Sequence, residues 1–218
     1  MKIKGFIFDL DGTLADTIPE LNAAMNVTRA RFGLPPIDRE GVKYGINDGP
    51  RNFVLRTFPK GTDEKTIDEA TAWYIKDYED FYMNTKTAFD GMTETICKMK
   101  KAGCKVAVLT NKAHVAAELL VKQIFGEGVF EVVWGVVDKP RKPDPTDALK
   151  IADIFGAKPD EVCFVGDSHA DMQTGVNAGM HPIGVSFGYK PVEVLLENGA
   201  EFIADTPEEI FEIAKSIK

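Results

Sequence analysis

The chain predicts an α/β fold: a parallel sheet flanked by helices, with a small α-helical segment inserted after the first strand. Three observations carry that expectation. Short apolar runs of strand length alternate with stretches of helical spacing, as when parallel strands are joined by helical crossovers. Between residues 16 and 82 the alternation stops, and only helical segments remain. Four separated segments place reactive polar side chains just beyond an apolar run or at a helix start, where open parallel sheets bind ligands.

The elements follow in order. Residues 3–8 are an apolar run read as a buried strand, closed by Asp9-Leu10-Asp11-Gly12-Thr13. The insertion then carries helical segments at 21–32, 51–58 and 65–83, punctuated by Gly41, Gly45, Gly49 and Pro50. Trp73, Tyr74, Tyr78, Phe81 and Tyr82 recur at helical spacing and suit the core of this insertion. The chain returns to the sheet near residues 86–89, so the expected division is 1–15 with 86–218 as the catalytic core and 16–85 as a helical cap. Further strands are expected at 105–109, 129–134, 162–165, 182–185 and 201–203.

A helix from Ala116 has an apolar stripe through Leu119, Leu120 and Ile124. Asp144 and Pro145 suit an N-cap and first helical position, with Gly156 at the far end. Thr206-Pro207-Glu208-Glu209 reads as a capping box that opens a last helix facing inward through Ile210, Ile213, Ala214 and Ile217.

Composition narrows the function. The 218 residues suffice for one domain with an insertion, and a formal net charge of −8 argues against nucleic acid or an anionic membrane as partner. No apolar run reaches transmembrane length, and Asp9 and Asp11 interrupt the N-terminal run too early for a signal peptide. Three scattered cysteines make neither a disulfide framework nor a thiolate metal site. A cytoplasmic monomer or homodimer acting on a small molecule is expected.

The polar residues at the strand tips suit phosphoryl transfer, which needs a nucleophile, a proton donor for the leaving oxygen and neutralisation of phosphate charge. Two carboxylates crowded at one tip repel by roughly 3 kcal/mol at an effective dielectric near 20, so a cation or a shared proton is needed there. Asp9 is the expected nucleophile and Asp11 the acid and base. Asp9 and Asp167 supply the hard oxygen ligands that Mg²⁺ prefers. Lys142 and the Thr110 hydroxyl would hold phosphate oxygens, helped by backbone amides near Asn111. Asp171, in the cap-like pattern Ser168-x-x-Asp171, is better suited to orienting Lys142 or a metal-bound water than to binding metal. Lys43, Asn47 and Arg51 surround the glycines of the insertion and are candidates for contacting substrate.

Asp9-Leu10-Asp11-Gly12-Thr13, Leu109-Thr110-Asn111, Lys142-Pro143-Asp144-Pro145 and Gly166-Asp167-Ser168-His169-Ala170-Asp171 stand in the order of four motifs. In these the chain resembles the haloacid dehalogenase superfamily of Mg²⁺-dependent phosphohydrolases, in the subclass with a helical cap inserted after the first motif. The resemblance implies a Rossmann-like core, an aspartyl-phosphate intermediate and the backbone carbonyl of Asp11 as a further metal ligand. The stretch from Gly41 to Gly49 is similar to that of phosphoglycolate phosphatases, although Asp16-Thr17-Ile18-Pro19 has threonine where that group has serine.

Alternatives within the superfamily are a β-phosphoglucomutase-type phosphotransferase, a pyrophosphatase and a nucleotidase. Dehalogenases and phosphonate hydrolases lack a carboxylate at the position of Asp11. Outside the superfamily, a phosphate-accepting signalling domain uses similar residues, but in roughly 120 residues and without an inserted cap.

Overall fold

Among the described residues, six strands form one fully parallel sheet: β1 (Gly5–Phe8), β2 (Lys105–Ala113), β3 (Val133–Val136), β4 (Val162–Gly166), β5 (His181–Val185) and β6 (Phe202–Ala204). Their spatial order is β3-β2-β1-β4-β5-β6. The structure is a computed structural model that describes residues 2–46, 49–85, 87–137 and 142–218. In chain order the helices are α1 (Ile18–Arg31), α2 (Arg39–Gly45), α3 (Pro50–Thr57), α4 (Glu64–Glu79), α5 (Met92–Lys101), α6 (His114–Phe125), α7 (Thr146–Phe155), α8 (His169–Ala178), α9 (Val192–Glu197) and α10 (Pro207–Ser216). None of the described helices is long and apolar enough to cross a membrane.

The chain divides into two compact units, Met1–Asp16 with Thr87–Lys218, and Thr17–Lys86. In the first, β1 and β4 hold only apolar residues and β2 is apolar over residues 106–109, because both sheet faces are covered. Phe6, Phe8, Val106, Val108, Cys163 and Val165 pack on one face with Met92, Ile96 and Met99 of α5, Leu120 of α6 and Ile210 of α10. Ile7, Ala107, Leu109 and Phe164 pack on the other with Ala148, Ile151 and Phe155 of α7. Gly5 opens β1 because a Cβ there would sit 2.2 Å from the Phe155 ring.

The second unit holds α1 to α4 around Met25, Val42, Phe53, Val54, Ile67, Ala70 and Tyr74. Tyr74 meets Phe53 edge-on and stacks on Tyr78, which contacts Tyr82 in turn.

Several elements differ from expectation. Gly41 and Gly45 lie inside α2 instead of breaking the chain, since the Asp38 carboxylate accepts from the Gly41 N–H at 2.9 Å and caps that helix. The helix expected over 65–83 ends at Glu79, with a separate 3₁₀ turn at Tyr82–Asn84. β3 begins at Val133 instead of 129. The preceding residues still bond to β2, Glu131 N–H to Val106 O at 2.8 Å and Val108 N–H to Val132 O at 3.0 Å, before a regular ladder starts.

Asp144 is not the N-cap of α7, which is Pro145. The Asp144 carboxylate nevertheless accepts from the Thr146 N–H at 2.9 Å. At α10 the Thr206 hydroxyl accepts from Glu209 N–H, but Glu209 reaches back to the Asp205 N–H and does not close a box on Thr206.

Candidate active site

Sheet register decides which side chains share an edge. Phe8 is paired with Val108 of β2 and with Val165 of β4, so Asp9 leaves the sheet level with Leu109 and Gly166, and Thr110 and Asp167 follow one residue on. The Asp9 N–H donates to Val165 O at 2.9 Å and holds the tip in place. Between β1 and β4 the chain order reverses across the sheet, which is where open α/β sheets form a ligand crevice.

Beyond Asp9 the chain turns sharply. Leu10 O accepts from the N–H groups of Thr13, Leu14 and Ala15, and Gly12 sits at φ +84°. A Cβ on Gly12 would lie 2.3 Å from Asp167 Oδ2, so glycine is needed for space as well as for the positive φ.

Lys142 lies at the centre of the charged cluster. Its Nζ is 2.8 Å from Asp9 Oδ1 and 2.5 Å from Asp171 Oδ1, with the side chain only 3% exposed. Asn111 pins the Lys142 backbone from both sides: its Oδ1 accepts from Lys142 N–H at 3.0 Å, and its Nδ2 donates to Lys142 O at 3.3 Å. The second oxygen of Asp171 accepts from Ser168 N–H at 3.0 Å and Ser168 O–H at 2.6 Å, forming the capping box that opens α8. Two of the four motifs thus fix the lysine supplied by a third.

Asp9, Asp167 and Asp171 are buried and offer carboxylate oxygens all within 4.8 Å of one another. Asp167 Oδ2 accepts from the Tyr189 N–H at 2.8 Å, whereas its Oδ1 is buried with no hydrogen-bond partner among the described residues. Asp9 Oδ1 is in ion-pair range of Lys142 but makes no directed hydrogen bond. The orphaned Asp167 oxygen is costly in a protein interior, and an all-oxygen donor set of this kind suits a hard divalent cation.

Electrostatics agree with that reading. Burial, then Asp171, push the Asp9 carboxyl up to about 6 against the pull of Lys142. Burial and the neighbouring Asp171 and Asp9 carboxylates hold Asp167 well above the ordinary range. Lys142 is pulled down by burial, but Asp171 and Asp9 outweigh it and raise the ammonium above its usual value.

The remaining candidates separate into two groups. Asp11 and Thr110 lie in the α/β unit. Asp11 accepts from Lys112 Nζ through both carboxylate oxygens, and the buried Thr110 hydroxyl accepts from the Lys112 N–H at 3.3 Å. Lys43 and Arg51 lie in the helical unit. There Lys43 pairs with Glu40 at 3.0 Å, and Arg51 pairs with Asp68 at 2.8 Å and also with Glu64. Asn47 lies outside the described residues.

Two contributors receive no role from the sequence alone, although Lys112 stands in the polar run Thr110-Asn111-Lys112 beyond an apolar strand. Lys112 could have been found by alternation, since residues two apart on a strand share a face and Thr110 is two before it. Tyr189 acts through its backbone N–H and carries no signal in its side-chain type.

Comparison with known proteins places the chain. The model of the haloacid dehalogenase-like hydrolase family matches residues 6–185. N-acetylmuramic acid 6-phosphate phosphatase of Pseudomonas aeruginosa is 30% identical over 98% of this chain and 95% of its own length. Phosphoglycolate phosphatase of Chromobacterium violaceum is 29% identical over 98% of this chain and 97% of its own. A solved phosphoglycolate phosphatase-like protein of Lactobacillus delbrueckii subsp. bulgaricus superposes with a TM-score of 0.90 at 27% identity, covering 98% of this chain and 99% of that one. With a family match that takes in the sheet edge where the four motif segments meet, this chain belongs to the haloacid dehalogenase-like hydrolases.

Proposed function

We propose that this protein is a Mg²⁺-dependent phosphomonoester phosphatase that works through an aspartyl-phosphate on Asp9, with a small phosphorylated metabolite of the phosphoglycolate kind as substrate. The observation that carries the reading is the buried Asp9–Lys142–Asp171 ion-pair chain beside an Asp167 oxygen that no described residue satisfies. Four carboxyl groups, at Asp9, Asp11, Asp167 and Asp171, outnumber the two ammonium groups of Lys112 and Lys142 in this cluster, which favours a bound cation.

Asp9, Asp167 and the backbone carbonyl of Asp11 would hold Mg²⁺, which when bound neutralises phosphate charge. Lys142 and Thr110 orient the phosphoryl oxygens. A carboxylate oxygen of Asp9 attacks phosphorus, and the bond from phosphorus to the ester oxygen breaks. That oxygen leaves with the electron pair and takes a proton from the Asp11 carboxyl. In the second half, Asp11 removes a proton from water as the water oxygen attacks phosphorus. The Asp9–phosphorus bond breaks, its electron pair returns to the carboxylate, and inorganic phosphate departs.

The substrate class rests on the relatives, which are named as phosphatases of N-acetylmuramic acid 6-phosphate and of phosphoglycolate.

The test is phosphate release from a panel of phosphate esters, with Mg²⁺ and with chelator. Release that requires Mg²⁺, fastest from phosphoglycolate, is expected. No release from any ester, or release indifferent to chelator, overturns the mechanism; a different fastest ester overturns only the substrate.

A further inference from the structure

We infer that Lys112 is a positioning residue for proton transfer: it grips both oxygens of the Asp11 carboxyl and sets where that group meets the leaving oxygen. The inference rests on the proposed role of Asp11 as acid and base. Lys112 Nζ lies 2.9 Å from Asp11 Oδ1 and 3.0 Å from Oδ2, and the lysine side chain is 4% exposed. A carboxyl bound through one oxygen turns freely about its last torsion, which is broad and shallow. An ammonium seated between the two oxygens removes that freedom.

The backbone supports this placement independently. Pairing of β2 with β3 shifts register between Leu109 and Ala113, an irregularity that spans Thr110, Asn111 and Lys112. Such bulges re-aim side chains beside functional sites. The same residue reaches a second functional atom, because the Lys112 N–H donates to the Thr110 hydroxyl at 3.3 Å. Lys112 thus links the expected proton donor to the expected phosphate ligand, and its own amine is taken up by Asp11.

A positioning role predicts dependence on the leaving group, which a purely structural ion pair does not. An alkyl ester such as phosphoglycolate needs a proton on its departing oxygen, whereas p-nitrophenolate leaves without one. In Lys112→Met, kcat/KM toward phosphoglycolate should fall by about 30-fold or more, and at least about tenfold further than toward p-nitrophenyl phosphate, a part of the roughly 10²–10⁴-fold that acid–base catalysis contributes. In an Asp11→Asn background the same substitution should cause no additional loss on phosphoglycolate.

Equal losses on the two esters, no loss on either, or a further loss in the Asp11→Asn background overturns the inference. Asp11→Asn that spares phosphoglycolate turnover overturns the acid–base reading itself, whatever Lys112 does. Should Lys112→Met fail to show a native melting transition, Lys112→Ala, which also removes the donor to Asp11, is read by the same ratio.

Discussion

Asp9 binds a proton more tightly in the folded protein than in the unfolded chain, its carboxyl rising from 3.8 to about 6 chiefly through burial. Folding therefore favours the protonated form. The stability this contributes is complete below pH 4 and is lost as pH rises through about 6, a change of about 3 kcal/mol in the metal-free protein. Asp167 shifts in the same direction. Asp9→Asn cannot ionise, so its stability relative to wild type in chelator should grow between pH 4 and 7, measured by urea unfolding at each pH. A difference that stays flat across that range contradicts the assignment. Protons and Mg²⁺ compete for these carboxylates, so Mg²⁺ should raise the wild-type melting temperature more at pH 7.5 than at pH 5.

At the scale of elements, the turn after β1 is the part least tolerant of change. Gly12 combines φ +84° with a Cβ position 2.3 Å from Asp167 Oδ2 and 2.8 Å from the Tyr189 ring. Gly12→Ala should cost about 1–3 kcal/mol of stability, seen by urea unfolding. By displacing Asp167 it should also weaken Mg²⁺ binding roughly tenfold, seen by calorimetry. Unchanged affinity with lowered stability would show that Asp167 does not depend on this turn.

The strand tips are legible in the sequence because the apolar runs at 5–8, 106–109 and 162–166 are each followed at once by a polar residue. Helix α2 is not, since Gly41 and Gly45 look like breaks and the Asp38 cap that offsets them is a three-residue local bond. Nor is the start of β3, where residues 131 and 132 bond to β2 outside the regular ladder. The clamp on Lys142 is half legible. Ser168-x-x-Asp171 reveals the capping box, but only the fold shows that its free oxygen meets a lysine 29 residues earlier.

At the scale of the whole molecule, the charge balance of the site contrasts with that of the chain. A net −8 would repel a phosphate ester, yet two buried lysines and the proposed dication gather at one edge of the sheet. Every residue of that cluster belongs to the α/β unit, and the Phe89 N–H donates to Leu14 O at 3.0 Å, which holds together the two stretches flanking the excursion into the helical unit. We propose the helical unit to be the part that sorts substrates. Replacing Thr17–Lys86 by a short flexible linker should therefore leave Mg²⁺ affinity within about threefold of the full chain while discrimination among phosphate esters falls. Calorimetry and the ester panel read the two effects separately, and intact discrimination in the shortened protein would remove the sorting role.

The most direct measurement is a single-turnover reaction with ³²P-labelled phosphoglycolate, quenched in acid and mapped by peptide mass spectrometry. Transient label on the peptide containing Asp9, released by hydroxylamine and absent in Asp9→Asn or with chelator, is the predicted result. Label on another residue, or turnover that persists in Asp9→Asn, would contradict the account.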